Sequence, residues 1–234
     1  MHLQVGHAII CMILSLNDSY KQKMSKTLEN LHYQELPDCF SDTELEHLVS
    51  GTDARRHALV KRAIAKGEIV RLKRGRYCLA ERFRRRPLNL FAVAQRLYGP
   101  SYVSFESALS YHGWIPESVP AVTSACAGRS CSFETELALF DFRRVPARLF
   151  LAHVDRIVDG DAVFFMATPW RAVADYVYIN RKDWRGVDPL IKSLRIEGDD
   201  FGKTTREELE SIDLSFGKRR VTRFLRGVIR ELDL

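Results

Sequence analysis

Residues 52–80 read TDARRHALVKRAIAKGEIVRLKRGRYCLA, and this stretch decides the fold. Thr52 has a hydroxyl that can accept a free backbone N–H of a first helical turn. Asp53 follows where the helix dipole favours an acid. Leu59, Val60, Ala63 and Ile64 recur at i, i+1, i+4 and i+5, one apolar helix face. Gly67 is a common C-terminal stop, so the helix runs to Lys66. The opposite face carries Ala54, Arg55, Ala58, Lys61, Arg62 and Ala65, which are small or basic. Two short strands follow, with a tip at Lys73-Arg74-Gly75, where Gly75 can take the positive φ of a tight turn.

Charge is concentrated in the same place. Residues 55–86 hold thirteen Lys or Arg against Glu68 and Glu81, a net of +11, while the whole chain is only +6. The remainder therefore sums to −5, and the basic charge is the local footprint of a polyanion-binding surface. A solvated amphipathic helix followed by a basic hairpin is the bland alternative. The order of helix, glycine stop and basic hairpin favours nucleic acid over it. Small side chains let a helix approach a groove, and Arg and Lys reach phosphates and base edges. The candidate DNA contacts are Thr52, Arg55, Arg56, Lys61 and Arg62 on the helix and its cap, with Lys73, Arg74 and Arg76 on the hairpin. Arg56 points nearer the core side, although first-turn residues can reach past a helix end.

Upstream, residues 18–31 read as a helix with Tyr20, Met24, Leu28 and Leu31 at helical spacing. Cys39-Phe40 reads as a short strand. Ser41-Asp42-Thr43-Glu44 matches a capping box opening a second helix, with Leu45, Leu48 and Val49 on its apolar face. Ser50-Gly51-Thr52 is then the turn into the basic helix. Helix, helix, turn, helix, hairpin is the winged helix-turn-helix order. Arg82, Arg84, Arg85 and Arg86 before Pro87 read as a basic linker, either solvated or following a DNA backbone. The expected organisation is α+β: an apolar leader over residues 1–23, a winged helix-turn-helix domain with its basic linker over 24–86, and a mixed α+β domain over 87–234.

In the second half the pattern gives helices over residues 88–98, 104–111, 168–178, 188–195, 205–212 and 218–232. It gives strands over 121–127, 131–133, 139–145, 149–154 and 162–166, with a turn at Asp159-Gly160-Asp161. The last helix alternates Val221, Phe224, Leu225, Val228, Ile229 and Leu232 with five arginines. Its apolar stripe packs on its own domain, or else on a toxin or a second copy.

The 46% hydrophobic content suffices for a core. Five scattered cysteines, with no CxxC and no matching Cys/His pair, read as reduced thiols in a cytoplasmic protein. The apolar run at residues 6–16 is too short to span a membrane and lacks a basic flank. It is either a buried element or sequence upstream of a true start at Met24.

These residues resemble the AbiEi antitoxins of abortive-infection, type IV toxin–antitoxin systems. The resemblance is carried by residues 66–77, most specifically by Tyr102-Val103-Ser104-Phe105-Glu106-Ser107-Ala108-Leu109-Ser110-Tyr111-His112-Gly113-Trp114-Ile115-Pro116-Glu117, and by Ala167-Thr168-Pro169-Trp170-Arg171-Ala172-Val173-Ala174-Asp175. It covers roughly residues 24–195. Where the family usually has an acid–lysine pair, this chain has Trp170-Arg171. The resemblance implies a transcriptional autorepressor that binds inverted repeats of double-stranded operator DNA through the winged helix, with two copies forming a homodimer on DNA as an open alternative. It also implies a C-terminal domain that counteracts a nucleotidyltransferase toxin, with or without a stable complex. The competing reading is a protein-interaction module, or a regulator without antitoxin activity.

Enzyme chemistry finds little support in the sequence. Asp155, Asp159 and Asp161 cluster, but no Glu-x-Lys follows as metal nucleases require. Ser104 and His112 lack a nucleophile elbow, and no P-loop or dinucleotide fingerprint occurs. The expectation is a DNA-binding protein with no catalytic residues, no metal and no cofactor.

Overall fold

The computed structural model describes residues 26–116, 119–145 and 148–234. The leader at residues 1–23, most of the helix expected over 18–31, and Glu117 lie outside the described residues. The described residues divide into two compact units, one from 26–71 with 75–85, the other from 72–74 with those after 85. Both mix helix and strand.

In the first unit, α1 (Lys26–Asn30) precedes β1 (Cys39–Ser41), α2 (Asp42–Leu48), α3 (Asp53–Ala65), β2 (Ile69–Lys73, of which Leu72 and Lys73 group with the second unit) and β3 (Arg76–Leu79). Local chemistry sets the starts and stops. The Ser41 capping box is complete: Ser41 N donates to Glu44 Oε2 at 2.7 Å and Glu44 N to Ser41 Oγ at 3.2 Å. Thr52 caps α3, accepting from Arg55 N at 3.3 Å. Gly67 ends that helix region at φ +65°, which a Cβ would resist. The strands order β1-β3-β2, and β1 runs antiparallel to β3 with Phe40 opposite Tyr77. Leu28, Phe40, Leu45, Leu59, Val60, Ala63, Ile69 and Leu79 form the core. Each of these side chains other than Ala63 contributes about 1.5–3 kcal/mol on burial.

One sequence expectation fails in this unit. Cys39 and Cys78 are not reduced thiols: they face each other across β1 and β3 and form a disulfide. Their 39-residue separation hides a contact that only strand register creates. The arginines before Pro87 lie where the two units divide, with Arg82, Arg85 and Arg86 exposed, and three of the four also hold backbone of the first unit. Arg85 donates to the carbonyls of Tyr33, Gln34 and Leu36, and pairs with Asp38. Arg84 Nε donates to Leu79 O at 2.7 Å, and Arg82 reaches the Lys66 and Gly67 carbonyls at the end of α3. Free carbonyls need donors, and these guanidinium groups supply them.

The second unit contains α4 (Leu90–Leu97), β4 (Ser101–Val103), α5 (Phe105–Tyr111), β5 (Ala121–Cys126), β6 (Cys131–Glu134), β7 (Leu139–Arg144), β8 (Val154–Asp159), β9 (Ala162–Ala167), α6 (Pro169–Ile179), α7 (Asp188–Leu194), α8 (Arg206–Phe216) and α9 (Arg219–Glu231). Its sheet orders β6-β7-β5-β4-β9-β8. β5–β7 and β4–β9 are parallel, and the other pairs antiparallel. The strand expected over 149–154 is displaced: residues 149–153 turn, and the edge strand is the more polar Val154–Asp159. An edge strand tolerates charge on its outer positions, so Asp155, Arg156 and Asp159 did not read as strand. Trp114, Trp170 and Phe201 pack edge-on or tilted at centroid distances of 5.2, 5.8 and 5.7 Å in the core.

Candidate nucleic-acid interface

Helix α3 separates its faces as its sequence dictates. Leu59, Val60 and Ala63 are buried, while Ala54, Arg55, Ala58, Lys61, Arg62 and Ala65 are all exposed. Lys61 makes no hydrogen bond or ion pair among the described residues. Arg55 leans back over the turn, its Nη1 donating to Ser50 O at 3.3 Å. Arg62 Nε donates to Ala58 O at 3.3 Å, and the residue is exposed. Gly51 sits at φ +112° in the turn, and a Cβ there would meet Arg55 Cδ at 3.2 Å.

Arg56 is set apart from the other candidates. Its side chain is buried, its Nη1 donates to Gly51 O at 2.7 Å and Val49 O at 3.3 Å, and its Nη2 pairs with Asp53 and with Glu46 at 3.6 Å. This guanidinium fastens the turn between α2 and α3 and is consumed there. The candidate set on the helix reduces to Thr52, Arg55, Lys61 and Arg62.

The hairpin turns at Gly75, φ +73°, whose carbonyl accepts from Asp42 N at 3.2 Å. That bond ties the tip to the start of α2. Arg74 is exposed and free of hydrogen bonds and ion pairs among the described residues, while Lys73 and Arg76 are half-buried. Arg76 Nη1 donates to Gly75 O at 3.3 Å. Arg71 was missed by the sequence reading. It is the exposed residue of β2, between buried Val70 and Leu72, and makes no hydrogen bond or ion pair among the described residues. The alternation Val70-Arg71-Leu72 was the signal for it. Burial raises the Tyr77 hydroxyl above its ordinary value, and nearby Asp42 raises it further, so Tyr77 stays neutral.

Of the thirteen basic residues of the charged window, all but the half-buried Lys73 and Arg76 divide by use. Arg56, Arg82, Arg84 and Arg85 hold carbonyls, Lys66 Nζ donates to Thr27 Oγ1 at 2.9 Å, and Arg86 pairs with Asp161. Arg55, Lys61, Arg62, Arg71 and Arg74 remain turned to solvent. In the first unit the exposed Arg55, Lys61, Arg62 and Arg71 have N–H groups to spare, and such groups can neutralise phosphates and reach base edges.

The second unit holds a polar group that the sequence reading did not assemble. Arg171 and Asp175 are both 0% exposed, one helical turn apart on α6. Arg171 Nε donates to Asp175 Oδ1 at 3.1 Å, Nη1 to Ala152 O at 2.8 Å and Nη2 to Tyr102 Oη at 2.5 Å. Ser104 Oγ donates to Asp175 Oδ2 at 2.6 Å, which is why it makes no side-chain cap on α5. Burial raises the Asp175 carboxyl above its ordinary value, while the Arg171 charge and the two hydroxyls oppose that rise. An i, i+4 Arg–Asp pair inside an otherwise apolar helix was the available signal. The network is sealed from solvent and joins the two sequence blocks around Tyr102 and Arg171.

Ser104 and His112 are not joined to each other: Ser104 Oγ donates to Asp175, and His112 is held elsewhere. His112 Nε2 lies 2.9 Å from the Ala167 carbonyl, which can only accept, so Nε2 is the donor in this contact. Asp159 accepts from Asn89 Nδ2 at 2.9 Å. Among the described residues no three His, Cys, Asp or Glu side chains cluster as a metal site, and no helix is long and apolar enough to cross a membrane. Burial pushes the free Cys126 thiol up to about 11, leaving it inert.

No protein-family model and no curated protein sequence matches the chain.

Proposed function

We propose that this protein is a sequence-specific DNA-binding regulator whose first unit is a winged helix-turn-helix. The carrying observation is the outward face of α3, where Arg55, Lys61 and Arg62 stand among alanines and none is consumed by the fold as Arg56 is. In this reading α3 enters a major groove, with Arg55 and Arg62 against base edges. The hairpin β2–β3 grips the backbone through Arg71 and Arg74. The resemblance to AbiEi antitoxins extends the proposal: the operator lies upstream of the protein's own gene, and the second unit counteracts a nucleotidyltransferase toxin.

The test is binding to the gene's upstream DNA and to random duplex at several salt concentrations. Arg55→Ala and Arg62→Ala should each cost about 1–3 kcal/mol on the operator and relax specificity at one position. Arg71→Ala and Arg74→Ala should weaken both DNAs alike and lower the salt slope by about one per lost phosphate contact. Equal losses on both DNAs for all four variants would mean that α3 reads no sequence. Toxin rescue is scored separately, by growth of cells co-expressing the neighbouring gene.

A further inference from the structure

Helices α8 and α9 form an antiparallel hairpin with opposite charge on its two arms. α8 carries Glu207, Glu208, Glu210 and Asp213 against one Arg206, while α9 carries five arginines against Glu231. Arg206 Nε donates to Leu234 O at 3.0 Å, and Thr222 Oγ1 donates to Asp213, which fixes the two arms side by side. On α9, Arg219, Arg223, Arg226 and Arg230 recur at i, i+4, i+7 and i+11, one exposed stripe. Arg226 and Arg230 make no hydrogen bond or ion pair among the described residues.

Between the arms runs a groove of about 260 Å³. Leu209, Leu225 and Ile229 give it an apolar floor, with Glu210 and Asp213 on one rim and Arg226 on the other. Leu214 stands at its edge, 75% exposed, the most exposed large hydrophobic side chain among the described residues. An apolar groove with a protruding leucine and one charge sign on each rim is complementary to itself.

We infer that this face docks a second copy of the same chain. A two-fold axis along the groove lays α8 of each copy over α9 of the other, so that Glu210 meets Arg226 of the partner subunit and each Leu214 covers the partner's apolar floor. An axis across the helices would set acid on acid and base on base, so the charge pattern selects the first arrangement. Such a contact is isologous and closes as a dimer. Glu210 and Asp213 share the groove with Arg226, and these acids disfavour a nucleic acid as its occupant. The inference is independent of the DNA-binding reading, since it uses none of its residues.

The experiment is sedimentation equilibrium of the full chain without DNA, over a range of concentration and salt. The wild-type chain should dimerise, more weakly at high salt. Leu214→Glu, Arg226→Glu and Glu210→Arg should each raise the dimer dissociation constant by about tenfold or more, with circular dichroism unchanged. The double variant Glu210→Arg with Arg226→Glu should recover most of the affinity, because each exchanged acid again faces an exchanged base. A monomeric wild-type chain, a dimer indifferent to all three single variants, or a folded double variant that stays monomeric would each overturn the proposal. So would loss of binding to single- or double-stranded nucleic acid in Arg226→Glu without change in oligomeric state, which would assign the stripe to a polyanion.

Discussion

Replacing Arg171 by methionine keeps most of the side-chain volume and removes the charge from a sealed pair. Asp175 would keep the Ser104 and Tyr102 hydroxyls, at 2.6 and 3.0 Å, but lose its counter-charge at 0% exposure. The Ala152 carbonyl would lose its 2.8 Å donor as well. Removing one partner of such a pair costs about 3–5 kcal/mol, because a buried charge is left uncompensated. A domain's whole stability is about 5–15 kcal/mol, so the loss is a large share of it. Replacing both residues, Arg171→Met with Asp175→Leu, should cost clearly less than the two single changes added together, since no lone charge remains. Urea unfolding followed by tryptophan fluorescence measures this cleanly. The chain's three tryptophans, Trp114, Trp170 and Trp184, all belong to the second unit, so the signal ignores the first. A single Arg171→Met loss below about 1 kcal/mol, the scale of an exposed pair, would refute the reasoning. A double variant as costly as the sum would do the same.

Three further outcomes are expected. Gly75→Ala forces a Cβ to φ +73° and to 2.9 Å from Asp42 Oδ2, and should destabilise the hairpin by about 1–2 kcal/mol, read as faster hydrogen exchange of the β2–β3 amides. Burial, then the Arg171 charge, lowers the His153 imidazole from its ordinary 6.5, so the unfolded chain takes up that proton first as pH falls. Stability of the second unit should therefore be full above that value and decline below it until the folded pKa is passed, and His153→Gln should flatten unfolding midpoints across that window. Non-reducing peptide mapping should recover Cys39 linked to Cys78 with Cys126 and Cys131 free, and reductant should cost the first unit about 2–4 kcal/mol in denaturant titrations.

Local signals carried most of the first unit. Ser41 with Glu44, Thr52, Gly67 and Gly75 each name a cap, a stop or a turn from their own chemistry, and all four occupy those places in the structure. What escaped the sequence depends on residues far apart. Arg55 and Arg56 are the same residue type in adjacent positions, and only the turn carbonyls of Val49 and Gly51 decide which is consumed. The Cys39–Cys78 bridge needed the β1–β3 register, and the basic linker needed the Tyr33–Asp38 segment to fold back beneath it. Ser104 was legible as the residue before α5. Its hydroxyl instead answers a carboxylate 71 residues later.

That distance also sets a schedule for synthesis. Every strand and helix described for the first unit has been made once Arg85 is added, whereas Tyr102 and Ser104 wait 73 and 71 residues for Asp175. β4 likewise waits for β9, to which Val103 pairs through Met166. At about 5–20 residues per second, the gap is roughly 4–15 s in which the emerging chain carries the strands and helices of its amino-terminal unit and a β4 that still lacks its neighbour β9. The half with the basic helix is thus complete on the ribosome while the other half must still be shielded.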